Sequence, residues 1–345
     1  MNVRRLTRNA HLWLPGLLRD RFSRLLEPPP RVAWVTIADH FEPLWGRVYT
    51  GTAAERVSAW RRAWPEIAAR HKDSTDRPPC YGFFYPQEEY RPELLEPLAE
   101  MTRLGIADVE IHIHHDGDGR QGFLDRMSGF IRTLREKHGL LRETEGRVVF
   151  GFIHGNWALD NSRPDGRWCG LNDEITLLRD LGCYADFTLP SAPDPCQTGP
   201  VNTIYRVKDD PRRPRSHARG RRVRTGSPAW GDLTLIPGPL GLRRDGRPLW
   251  RPRLETGEIA GSAAPSAARV RSWLRLAPRI GDQAFIKLFG HGAQERNSVP
   301  LLGGGLDTLL QALTRECAAV GTALRYVSAW EMFGVVESLR KSTGP

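Results

Sequence analysis

Short runs of β-branched and aromatic residues alternate along the chain with longer stretches whose apolar positions recur at helical spacing. RVAWVTIAD (31–39) is apolar on successive positions and ends on a charge, which predicts a strand buried on both faces. YGFFYP (81–86), VEIHIHH (109–115), RVVFGFIH (147–154), YADFTLP (184–190) and AFIKLFGHG (284–292) repeat that form. Helices are predicted between them. One covers 53–71, with Val57, Trp60, Trp64 and Ile67 on one face, and its tryptophans are expected in the core. Others cover 91–104 (Leu94, Leu95, Leu98 and Met101), 123–141, 173–182 and about 305–320. Asn172 is the expected cap of the 173–182 helix and Gly182 its terminator. A short strand, LRYVS, and a final helix close the chain.

Alternation of strand and helix predicts a parallel α/β architecture with its chemistry at the C-terminal ends of the strands. Polar residues gather at those ends: Asp39 after the first strand, His112 to Asp118 after the third, and His154 to Asn156 after the fourth. Residues 190–228 break the rhythm with several prolines and a basic run from Arg206 to Arg224. They predict a loop-rich excursion, a solvated basic loop over an acidic substrate, followed by short strands in 231–260. The organisation expected is a basic amphipathic helix and Pro linker over 1–30, one α/β domain over 31–335 with an insertion at about 190–260, and a tail over 336–345.

Composition narrows the class of protein. A length of 345 residues suffices for one large α/β domain, and a formal net charge of +10 favours an acidic partner. Aromatic residues are almost absent from the basic run, so no nucleic acid is expected. Five cysteines without a CxxC pair argue against a disulfide framework and for a reducing cytoplasm. No window approaches a membrane span. The N-terminal apolar stretch is short and contains His11 and Pro15, so it reads as a surface helix packed on the domain. The alternative for it is peripheral contact with an anionic (inner) membrane.

The stretch from Glu110 to Asp118 is dense in ligand-type side chains, with three His and two Asp within seven residues. His112 and His114 share a strand face, and His115 to Asp118 fall on the turn beyond. Imidazole with carboxylate suits Zn²⁺ or a similar divalent ion.

In order and content these motifs resemble the NodB-type polysaccharide deacetylases (carbohydrate esterase family 4) within the glycoside hydrolase/deacetylase superfamily, over roughly residues 31–335. The chain also resembles bacterial deacetylase-like proteins encoded with surface-polysaccharide genes. The fold implied is a distorted (β/α)7 barrel. The family's Thr-Phe-Asp-Asp-Gly motif matches Thr36 to His40, which puts its metal-binding Asp on Asp39 and its general base on Ala38. Its paired histidines match His114 and Asp118, with His112 and His115 as alternative ligands. A late histidine, a general acid in the family, matches His291, and a mid-chain acidic residue matches Asp186. The resemblance implies deacylation of an N-acetylated sugar or glycan precursor by a bound divalent ion. His291 would be the acid, and the base would be recruited from His40, Glu42, His115 or His154. Trp45, Trp157, Trp168, Asn156 and Glu174 are candidate substrate contacts, with Gln294 and Glu295 on the rim. A glycoside hydrolase of the same superfamily, or a glycan-binding barrel without activity, are the alternatives.

Overall fold

The computed structural model describes residues 8–243 and 253–342. The start of the basic N-terminal segment, the tip of the excursion and the last three residues of the expected tail lie outside them. The main strands in chain order are β1 (Val32–His40), β2 (Tyr81–Pro86), β3 (Ala107–Ile113), β4 (Arg142–Thr144), β5 (Arg147–His154) and β6 (Cys183–Asp186). Then follow β7 (Tyr205–Val207), β8 (Arg221–Arg222), β9 (Leu233–Leu235), β10 (Gly241–Arg243), β11 (Arg253–Glu255), β12 (Arg279–Ile280), β13 (Gln283–Leu288) and β14 (Ala323–Tyr326). The helices are α1 (Ala10–Ser23), α2 (Thr50–Arg70), α3 (Pro92–Arg103), α4 (Gly119–His138) and α5 (Glu174–Leu181). They continue as α6 (Ala267–Leu276), α7 (Glu295–Pro300), α8 (Leu306–Ala319) and α9 (Ala329–Lys341).

One large, mostly parallel sheet runs in the order β12-β13-β1-β2-β3-β5-β6-β9-β7-β8. β14 lies parallel to the first half of β1, and β2 pairs with its second half. The α/β class is as expected, but the expected barrel is not: no backbone ladder joins the two ends of the sheet among the described residues. The two ends approach each other, and Arg222 of β8 donates to the Arg279 backbone carbonyl of β12 at 3.3 Å. The expected excursion is also more regular than a loop. β7, β8 and β9 extend the main sheet, and β10 pairs with β11. The expected tail boundary at 336 falls inside α9, which opens on a capping box between Ser328 and Glu331.

Much of the basic run is exposed, as expected, but it is tied to the body of the protein at several points. Arg206 lies 3.6 Å from Glu337, Arg215 donates to the carbonyls of Ser162, Pro195 and Gln197, and Arg221 stacks on Trp230. Helix α1 packs on this region through Trp13 and Leu17 against Ala192, Val201 and Leu240. Its other face leaves Leu18 and Phe22 exposed, followed by Leu25 and Leu26. No helix of the described residues is long and apolar enough to cross a membrane. All five cysteines are buried and free.

Both faces of the central strands are buried, as expected for a parallel sheet covered by helices. Trp60 and Trp64 on α2 are fully buried, and each still satisfies its indole N–H. Trp64 donates to the Ile106 carbonyl and Trp60 to the Gly292 carbonyl, both at 2.8 Å. On the opposite side of β1, Lys287 of β13 donates to the Phe187 carbonyl at 2.8 Å, just beyond β6. Asp186, in that same stretch, keeps its carboxylate on the Thr188 backbone and hydroxyl. Burial lowers the Lys287 amine to about 7, with Asp186 opposing the shift. The unfolded chain therefore holds one more proton than the folded one between about pH 7 and 10.5, so this residue makes stability rise with pH across that window. Lys287→Met is expected to remove that rise, read as denaturant midpoints measured across the window for both proteins.

Candidate metal centre

Strand alternation decides which side chains of the polar clusters meet. His40 is the last residue of β1, and Glu42 follows it at the turn. His112 lies near the end of β3, and His114 stands just past it on the same side. His291 follows β13 on a short loop. One ligand atom each from His40, Glu42 and His291 lie within 4.8 Å of one another, and so do those of Glu42, His112 and His114. Glu42 joins the two groups: its Oε1 is 3.4 Å from His112 Nε2 and 3.6 Å from His114 Nε2. The rings of His40 and His291 are 4.9 Å apart, and those of His40 and His112 5.0 Å.

Hydrogen bonds hold two of the histidine rings in place. His112 Nδ1 donates to the Ile153 carbonyl at 2.9 Å, and His114 Nδ1 engages Glu88 Oε1. Each contact fixes its ring with Nε2 toward Glu42, an arrangement usual around metal-binding histidines. The buried Nε2 atoms of His40 and His112 have no hydrogen-bond partner. Burial, reinforced by His291 and His112, holds His40 far below the ordinary imidazole range, and burial also lowers His291. Burial alone would raise the Glu42 carboxyl, but the neighbouring His112, His291 and His114 bring it down to about 2. The result is an ionised carboxylate among imidazoles: burial disfavours the charged form of His40 and His291, whereas at His114 the hydrogen bond to Glu88 outweighs burial and favours it. Nitrogen and carboxylate donors of this kind are a set that could hold a divalent cation.

Gly155 makes room for this arrangement. A Cβ there would stand 2.2 Å from His114 Cδ2. The loop of His291 is pinned at Gly292, whose carbonyl accepts from Trp60 and whose N–H donates at 2.9 Å to both oxygens of Asp39.

His40, Glu42, His114 and His291 line a cavity of about 1110 Å³ at the C-terminal ends of the strands. Trp45, Asn156 and Trp157 line it too, as does Gln294 of the expected rim. Its basic residues are Arg8, Arg47, Arg243, Arg253 and Arg296, none of them from the expected 206–224 run.

Several expected site residues lie elsewhere. Asp39 faces away from the cluster, toward α2, and serves the Gly292 backbone; burial raises its carboxyl to about 7. Asp118 precedes α4 and is paired with Arg126. Trp168 stacks with Arg163 at 4.1 Å, and Glu295 is taken by Arg56 at 2.6 Å. Asn172 does not cap α5; its side chain accepts from Asn161, and Asp173 holds the cap position. His115, His154 and Glu174 are absent from the cavity wall and form a separate buried group with Cys169. Sequence reasoning passed over Cys169 and Glu88. Glu88 follows β2 within a Gln-Glu-Glu turn, the same strand-tip position that marked Glu42, and that was the available signal.

The chain matches no protein-family model and no curated protein sequence.

Proposed function

We propose that this protein is a metal-dependent hydrolase that removes an acyl group from an N-acetylated, anionic carbohydrate. The observation that carries the reading is Glu42 among four histidines, of which His40, His114 and His291 share with it the wall of a cavity at the strand ends. His40, His112 and His114 offer nitrogen donors, which suit zinc or a similar borderline ion better than magnesium or calcium. When bound, such an ion polarises an acyl carbonyl and acidifies water. Glu42 supplies the base that Ala38 cannot, with Oε1 toward His112 and His114 and Oε2 3.4 Å from Gln294 Nε2. His291, close to Glu42, returns a proton to the departing nitrogen. Trp45 and Trp157 give the cavity aromatic surface for a sugar ring, and the arginines of the rim favour an acidic one.

The test is metal content together with acetate release from N-acetylated and de-N-acetylated oligosaccharides. Zinc-loaded protein is expected to release acetate only from the former, and His114→Ala to lose both this activity and one metal equivalent. Acetate release that survives in His114→Ala, or in metal-stripped protein, would refute the reading.

A further inference from the structure

Four residues outside the cavity form a second constellation. His115 stands just beyond β3, His154 ends β5, Glu174 opens α5, and Cys169 lies in the loop between the last two. One ligand atom from each falls within 4.8 Å of the others, and all four residues are buried. The side chains of His115, His154 and Glu174 have no solvent exposure at all. We propose that His115, His154, Cys169 and Glu174 form a closed structural zinc site, separate from the open cluster and independent of the hydrolytic reading.

The contacts fit a cation better than they fit each other. His115 Nε2 is 3.0 Å from Glu174 Oε1 and 3.0 Å from His154 Nε2, and His154 Nε2 is 3.3 Å from Glu174 Oε1. Ligand atoms around tetrahedral zinc, at bond lengths of about 2.0–2.1 Å, stand about 3.3 Å apart. His154 Nδ1 donates to the Gly155 carbonyl at 2.6 Å, so its Nε2 is bare. The single proton that His115 Nε2 can supply lies 3.0 Å from both the His154 nitrogen and the Glu174 oxygen and cannot serve both fully, so a lone pair and a carboxylate are left facing each other in a buried site, which a cation would relieve.

Cys169 adds an independent sign. Its Sγ accepts N–H groups from Asn161 at 3.2 Å and Leu171 at 3.4 Å and donates its own proton to Glu174 Oε2 at 3.4 Å, the position where a cation would take that proton's place between sulfur and carboxylate. Thiolate and carboxylate together balance the charge of a divalent ion, so the filled site buries no net charge. Sulfur with two imidazoles selects zinc over magnesium or calcium.

Closure makes the role structural, because none of the four lines the cavity and no face is left for substrate. What the site would hold is the 155–171 loop. Asn156, Trp157, Asp160, Asn161 and Trp168 all have positive φ there, a conformation that persists only where surroundings impose it. That loop carries Asn156 and Trp157 to the cavity wall.

Cobalt reconstitution of the full-length protein tests the proposal. Wild type and His114→Ala are expected to show thiolate-to-cobalt charge-transfer absorption in the near ultraviolet. Cys169→Ser is expected to lose the band and one of two metal equivalents while keeping the other. A band that survives in Cys169→Ser, or its absence from wild type, overturns the proposal. Should Cys169→Ser fail to fold, X-ray absorption of the zinc-loaded wild type decides, with a sulfur shell at about 2.3 Å expected and its absence counting against the site. A protein inactive on every sugar but showing the band would leave this inference standing and remove only the hydrolytic one.

Discussion

Glu42→Gln is expected to lower hydrolysis by about 10²–10⁴-fold, the usual contribution of a positioned proton acceptor. The substitution keeps shape and volume and removes only the charge and the proton-accepting oxygen. The residue is almost fully buried, and its Oε1 faces two imidazoles held by the Ile153 carbonyl and by Glu88. An amide in that place cannot take a proton from water, and the substitution leaves the nitrogens of His112 and His114 where they are. The loss should therefore fall mainly on kcat. Zinc content measured beside the kinetics separates two routes: retained metal with lost turnover marks Glu42 as a base, and lost metal marks it as a ligand. Near-wild-type turnover would remove Glu42 from the chemistry and with it the hydrolytic mechanism.

Much of the frame was legible from the chain because period and length are local properties. The runs at 31–39, 81–86 and 147–154 became strands within a residue or so of their expected limits, and the helical face of Trp60, Trp64 and Ile67 became core. Burial on both faces also explains the main error at the site. Alternation places His40 opposite Asp39, but where both sides of a strand are packed it cannot say which side faces the cavity. His40 took that side, and Asp39 took the Gly292 backbone. The same ambiguity split the histidine run after β3. His112 and His114 go to the open cluster, and His115 goes to the group with Cys169.

Asp118 shows a second limit. Spacing placed it near the histidines, yet Arg126, two turns along α4, claims its carboxylate. The Cys169 group was illegible for another reason: it joins the end of β5 to a loop with five non-glycine residues at positive φ, a path no local pattern announces. Closure of the sheet was illegible too, because it depends on how two short edge strands, β8 and β12, meet.

Arg269→Ala is expected to cost about 3–5 kcal/mol of stability, the range for breaking one side of a buried ion pair. Arg269 is 2% exposed. Its guanidinium grips Glu255 through two bonds, Nε to Oε2 at 2.9 Å and Nη2 to Oε1 at 2.7 Å. It also donates to the carbonyls of Glu258 and Ala263. Burial would raise the Glu255 carboxyl, and Arg269 outweighs it and keeps the group ionised. Alanine would leave that charge enclosed with the Gly257 N–H at 2.9 Å and Arg243 at 3.4 Å as partners, and two carbonyls without the Arg269 donor. The effect should reach the site, because Thr256, Glu258, Ala260 and Ala263 belong to the cavity wall. KM is expected to rise in Arg269→Ala while metal at the histidine cluster is retained, since no ligand lies on that segment. The double variant Arg269→Met with Glu255→Gln removes both charges and preserves most of the volume, and it should recover much of the lost stability in denaturant unfolding. If the double variant is no more stable than Arg269→Ala, the cost lies in packing and in the unmade carbonyl contacts, and the ion pair is not what holds this wall.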